Sequence, residues 1–194
     1  MKSQPDHITA LDLPIPSREQ LTPEFQKYFA ICDEKLGMVP NVLKAYSQNA
    51  GQLEAFSRLY NELMFGDSNI SELEKEMIAV VVSSENSCYY CQVAHGAAVR
   101  EYADEPKLGE LMVMNYRVAP LEARQRAMLD FAAKMTKASA AIEEADREVL
   151  RQAGFSDRDI WDIANVTGFF NMTNRVASAT AMAPNEEYHA QFRE

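Results

Sequence analysis

The six residues Met77-Ile78-Ala79-Val80-Val81-Val82 are the longest purely apolar run in the chain, and the fold class turns on how they are read. Four of them are β-branched, which by itself would suit a strand. The flanks argue otherwise. Ser71, followed three residues later by Glu74, is a capping-box pattern that opens a helix, and no neighbouring segment alternates apolar and polar residues. The run therefore sits on a helix over residues 72–84.

Similar punctuation recurs along the sequence. Thr22-Pro23 and Gly37 bracket a helix over 23–36, and a short one begins at Pro40 and runs through Tyr46. Leu53, Phe56, Leu59, Tyr60 and Leu63 recur at helical spacing within 51–65, which Gly66-Asp67 ends. Asn86 or Ser87 caps a helix running to about Tyr102, with Cys88 in its first turn. Further helices are marked over 121–139, 143–153 and 157–182. The class is all-α. A chain of 194 residues is long enough for one core and short for two domains. It divides into an extended, proline-containing arm (1–20), one helical domain (21–184) and a C-terminal tail (185–194).

Composition narrows the function. With 29 acidic and 19 basic residues the net charge is -10, and no basic run could neutralise several phosphates, so nucleic acid is not an expected partner. Six apolar residues are far short of the roughly 20 that cross a bilayer, and the N-terminus lacks the charged and apolar regions of a secretory signal. A cytoplasmic protein without membrane contact is expected. In a reducing compartment, three cysteines point to catalysis or metal binding before a disulfide framework.

Two of the three lie in "SCYYCQVAH". At about 100° per residue, Cys88, Cys91 and His95 fall within roughly 60° of one another on one helical face. The unpaired N–H groups and dipole at the helix start favour a Cys88 thiolate. His95, four residues beyond Cys91, can accept or relay a proton. An imidazole base is best held by a carboxylate. Of Glu72, Glu74 and Glu76 on the preceding helix, Glu76 lies beside the apolar run and is the one placed to face inward. Two further readings of the pair stay open: buried thiols acting as small hydrophobes, and a zinc site, for which only three ligands are found where four are usual. Haem attachment fails because Gln92, not histidine, follows Cys91.

Glu76, Cys88, Cys91 and His95 together reproduce the E-x(11)-C-x-x-C-x-x-x-H pattern, and in this the chain resembles the alkylhydroperoxidase D-like proteins of the carboxymuconolactone decarboxylase superfamily. The segments "VPNVLKAYSQNAGQLEAFSRLY" and "LRQAGFSDRDIWDIANVTGFFNMTNRVA" look like its peroxidase-related branch, and the likeness runs from about residue 20 to 184. The resemblance implies a helical bundle of the alkylhydroperoxidase D-like type and a homo-oligomer, with a trimer or hexamer preferred over a dimer. It also implies reduction of hydroperoxides by a dithiol/disulfide cycle that an external thiol, dithiol or redox protein resets. Cys91 corresponds to the peroxidatic thiol, Cys88 to the resolving thiol and proton donor, and His95 with Glu76 to the proton relay. No cofactor or metal is expected.

In one respect the chain departs from the pattern. Tyr90 stands where some members carry histidine, and Tyr89-Tyr90 could narrow an entrance or stack on an aromatic substrate. Asn171 and Arg175, one turn apart, match a recurrent family feature and are assigned to packing or subunit contact ahead of substrate binding. Cys32 and Trp161 are assigned to the core, His7 and His189 to the surface. Two alternatives to the peroxidase are acid–base chemistry of the decarboxylase kind, which needs no paired thiols, and a metal- or redox-responsive helical protein without catalysis.

Overall fold

The computed structural model describes residues 4–193; the first three residues of the expected arm and the last of the expected tail lie outside them. Nine α-helices and no strand occur among the described residues: α1 (Pro23–Leu36), α2 (Asn41–Tyr46), α3 (Ala50–Phe65), α4 (Glu72–Glu85), α5 (Tyr89–Ala103), α6 (Pro106–Asn115), α7 (Ala123–Ala138), α8 (Glu144–Gln152) and α9 (Asp157–Ala179). No helix among them is long and apolar enough to cross a membrane.

The apolar run becomes the central helix. α4 packs against α5, α6, α7 and α9, and every residue from Met77 to Ser83 is buried. A helix that is apolar all round can be satisfied only by neighbours on every side. The β-branched residues are kept because burying each aliphatic side chain contributes about 1.5–3 kcal/mol, which outweighs their weaker helix propensity. The capping box forms as expected, with Ser71 Oγ accepting from Glu74 N and Ser71 N donating to Glu74 Oε2. Lys75, buried on the same helix, donates from Nζ to Met64 O and Gly66 O. It thereby satisfies carbonyls left over at the end of α3.

α1 begins on the Thr22 cap and stops at Gly37, whose φ of 73° is left-handed. α6 was not anticipated. Pro106 at its start and Glu105 as its cap are ordinary helix signals, but Gly109 reads as a breaker. That glycine instead permits a close crossing with α5, since a Cβ there would lie 2.6 Å from Arg100 Cγ and 2.9 Å from Gly96 O. Trp161, expected in the core, is 66% exposed. Ile160, Ile163, Val166, Phe170, Asn174 and Ala177 fill the buried stripe of α9, and Trp161 lies one residue out of that phase.

The two ends of the chain meet. Ala10 N donates to Thr180 O, Ala183 N to Ile8 O, and Gln4 Nε2 to Pro184 O. The C-terminal segment, with a 3₁₀ turn over Glu186–His189, is tied to α5 by buried Arg100, which donates to Tyr188 O and Gln191 O.

Candidate functional site

The turn between α4 and α5 places the dithiol. Asn86 ends α4, Ser87 takes the left-handed conformation (φ 53°), Cys88 N donates to Ser83 O, and Ser87 N donates to Ser84 O. These bonds form a Schellman motif. Its left-handed position usually carries glycine, so serine there holds local strain of the kind found near functional sites. The motif ends where α5 begins. Cys88 is therefore the N-cap residue itself, with extended backbone (φ -81°, ψ 102°), rather than a member of the first turn.

Cys88 and Cys91 are both reduced and buried, at 1% and 4% exposure. Their ionisations are linked. The Cys88 thiol is pulled down to about 6, first by a hydrogen bond from Cys91 and further by the Cys91 backbone, Ser178 and His95. Cys91 is pushed well up, first because its side chain bonds to Cys88 and then by burial. The two shifts run in opposite directions, so the sulfur at the N-cap is the more readily ionised of the pair.

Glu76 faces inward at 3% exposure, and its Oε2 lies 2.7 Å from His95 Nδ1. The pairing that the spacing suggested is formed. With Nδ1 engaged, Nε2 is the nitrogen able to exchange a proton. The His95 ring stands edge-on to Phe170 at 4.6 Å, so its orientation is fixed from two directions. Among the described residues, no group of three or more His, Cys, Asp and Glu side chains is arranged to hold a metal ion.

Behind the sulfurs lies a polar network. Asn174, fully buried on α9, donates from Nδ2 to Ser83 Oγ (3.0 Å), and Ser83 Oγ donates to Ala79 O (2.6 Å). Asn86 Nδ2 donates to Asn174 Oδ1 and Asn171 Oδ1. Asn174 and Ser83 lie beside the Cys91 thiol and partly offset the upward push on its ionisation. Asn171 and Arg175 belong to the outer part of this network. Arg175 donates to Asn171 Oδ1 (2.8 Å), and Asn171 donates to Thr136 Oγ1 (3.0 Å). Sequence reasoning named Asn171 but missed Ser83 and Asn174. The one available signal was Asn174 on the buried phase of α9, a polar residue needing partners.

In front of Cys91 and His95 is a cavity of about 590 Å³, which Glu76, Tyr90 and Cys32 also line. Cys32 is buried as expected, but its side of α1 forms cavity wall. Tyr90 accepts a hydrogen bond from Val42 N at 3.1 Å, fixing the start of α2 against the site. Tyr89 is not part of the wall. It is 47% exposed, and its hydroxyl bonds to Gln4 and His189, so any narrowing of the entrance falls to Tyr90. His7 lies at the surface, bonded to Ala181 O.

The carboxymuconolactone decarboxylase family model matches residues 52–115, a span containing Glu76, Cys88, Cys91 and His95. The chain is 72% identical to an uncharacterized peroxidase-related protein from Silicibacter sp. TM1040, covering 98% of this chain and 99% of that one with a TM-score of 0.94. It is 39% identical to an uncharacterized peroxidase-related protein with an alkylhydroperoxidase AhpD core from Ralstonia eutropha JMP134, covering 97% and 98% at a TM-score of 0.92. The debrominase Bmp8, in complex with 2,3,4-tribromopyrrole, shares the fold at 18% identity, with 94% and 96% coverage and a TM-score of 0.79. No curated protein matches the chain. By its all-helical fold, its motif and this full-length similarity, the chain belongs to the alkylhydroperoxidase D-like proteins of the carboxymuconolactone decarboxylase superfamily, in their peroxidase-related branch.

Proposed function

We propose that this protein is a dithiol peroxidase that reduces organic hydroperoxides. The observation that carries this reading is the placement of Cys91 and His95 on one cavity wall, with His95 Nδ1 held by buried Glu76 and Cys88 at the adjoining helix start. As substrate arrives, the Cys91 proton passes to the Cys88 thiolate along the bond between them. Cys91 sulfur then attacks the distal peroxide oxygen and the O–O bond breaks, giving a Cys91 sulfenic acid and an alkoxide. His95, holding the proton released when the dithiol ionised, gives it to the alkoxide, and the alcohol leaves. Cys88 sulfur next attacks the sulfenic sulfur, and hydroxide departs with the Cys88 proton as water. An external dithiol supplies two electrons and two protons to reopen the disulfide. Cys91 is the attacking sulfur because it, unlike Cys88, lines the cavity.

The test is to add a hydroperoxide to the reduced protein and count free thiols. Loss of Cys88 and Cys91 together, with Cys32 retained, is expected. Cys91→Ser should stop peroxide consumption, and Cys88→Ser should arrest at the sulfenic acid. A Cys91→Ser protein that consumes peroxide as fast as the parent overturns the mechanism.

A further inference from the structure

The cavity has a chemical character of its own. Its volume of about 590 Å³ falls in the range of roughly 300–1,000 Å³ typical of sites for whole organic molecules, far beyond what a bare peroxide needs. Its wall is an aromatic cluster contributed by α2, α3 and α9. Tyr46 stacks on Phe56 with centroids 4.2 Å apart, Phe56 meets Phe169 at 5.5 Å, and Phe169 stands perpendicular to Phe170, the ring that braces His95. All four rings line the cavity, and an aromatic guest packs on such a surface by offset stacking or edge-on contact.

Its charge is one-sided. Glu72, Glu76 and Glu101 line it against a single lysine, Lys35. Burial, and to a lesser extent the neighbouring Glu76, raises the Glu101 carboxyl. Burial also raises the Tyr60 and Tyr188 hydroxyls, so both stay neutral. A carboxylate entering this space would shed water and meet more carboxylates than cations, since Lys35 stands alone against Glu72 and Glu101 while the His95 ring is already engaged by Glu76.

We propose that the cavity selects a bulky, aromatic, uncharged hydroperoxide and discriminates against one that carries a carboxylate. The inference rests on the dithiol-peroxidase reading and adds the substrate class. The ring occupies the aromatic wall, and the peroxide group lies at the Cys91–His95 end; bond changes are those already given, the alcohol product being the aryl-alkyl alcohol.

The test compares kcat/KM for cumene hydroperoxide, its para-carboxylate, the methyl ester of that acid, tert-butyl hydroperoxide and hydrogen peroxide. Cumene hydroperoxide should exceed tert-butyl hydroperoxide by about tenfold or more, the effect of burying one ring, and hydrogen peroxide should be slowest. The ester should exceed the acid by about tenfold, and Glu101→Lys should narrow that ratio severalfold. Equal rates for acid and ester, an unchanged ratio in Glu101→Lys, or hydrogen peroxide as the fastest substrate overturns the selectivity while leaving the dithiol reading intact. Absence of thiol loss with every peroxide overturns that reading itself.

Discussion

The two sides of the dithiol are built from opposite materials. Behind the sulfurs, Ser83, Asn86 and Asn174 form a polar network among the α4–α5 turn and α9. In front, Tyr46, Phe56, Phe169 and Phe170 present rings. The polar side has fixed dipoles that need no rearrangement when a sulfur takes on charge. The aromatic side can hold a guest and displace water, which strengthens every electrostatic interaction at the sulfurs. Charge is managed from one side and shape from the other, so substitutions on each should fail in different ways.

The contrast is broken most severely through Glu76. Glu76→Gln leaves His95 without its carboxylate partner, and kcat/KM toward hydroperoxide should fall by about 10- to 100-fold. Steady-state kinetics over a range of pH would show it. An unaltered pH profile would mean that Glu76 only fills space.

Asn174→Ala is the next largest. It strips Ser83 and Asn86 of a buried partner, and about 1–3 kcal/mol of stability should be lost, measurable by denaturant unfolding. Peroxide consumption should fall by about tenfold, because a polar group that eases ionisation of the Cys91 thiol is gone. Full activity in a destabilised Asn174→Ala protein would restrict the network to a packing role.

A gentler probe is pH. The lowered Cys88 ionisation means the thiolate is present above about pH 6 and is protonated as pH falls through that value, in contrast to an ordinary thiol near 8.5. Thiolate ultraviolet absorbance of the reduced protein, which needs no reagent to reach the buried sulfur, should therefore rise toward a plateau just above about 6 and lose that step in Cys88→Ser, while Cys91 and Cys32, both raised, contribute only well above about 8. A Cys88 profile that climbs only near about 8.5 would remove the charge from the N-cap.

The smallest effect belongs to a residue on neither side. Trp161→Ala at an exposed position should alter the stability of the single chain by less than about 0.5 kcal/mol, and thermal unfolding would reveal a larger role.

How much of this was legible in the sequence follows the range of the interactions. α1 and α4 could be read nearly to the residue because Thr22, Gly37, Ser71 and Glu74 act within one turn of the ends they define. The Glu76–His95 pair was legible for a related reason: a tight hairpin joins their helices, leaving few arrangements to consider. α6 was hidden because Gly109 serves a helix crossing that sequence spacing does not reveal. Ser83 and Asn174 are 91 residues apart, and the aromatic wall gathers α2, α3 and α9. Nothing local marks such a meeting. Trp161 was misplaced because bulk and apolarity were weighed above helical phase.

The position of Cys88 ahead of the first helical turn has one more consequence. Inside a helix, the preceding turn blocks one of the three staggered side-chain orientations. A residue standing at the threshold has no such turn beneath it. No part of α5 itself blocks the sulfur at position 88, so a bond joining it to its neighbour would leave the rod on which both sulfurs are mounted wound.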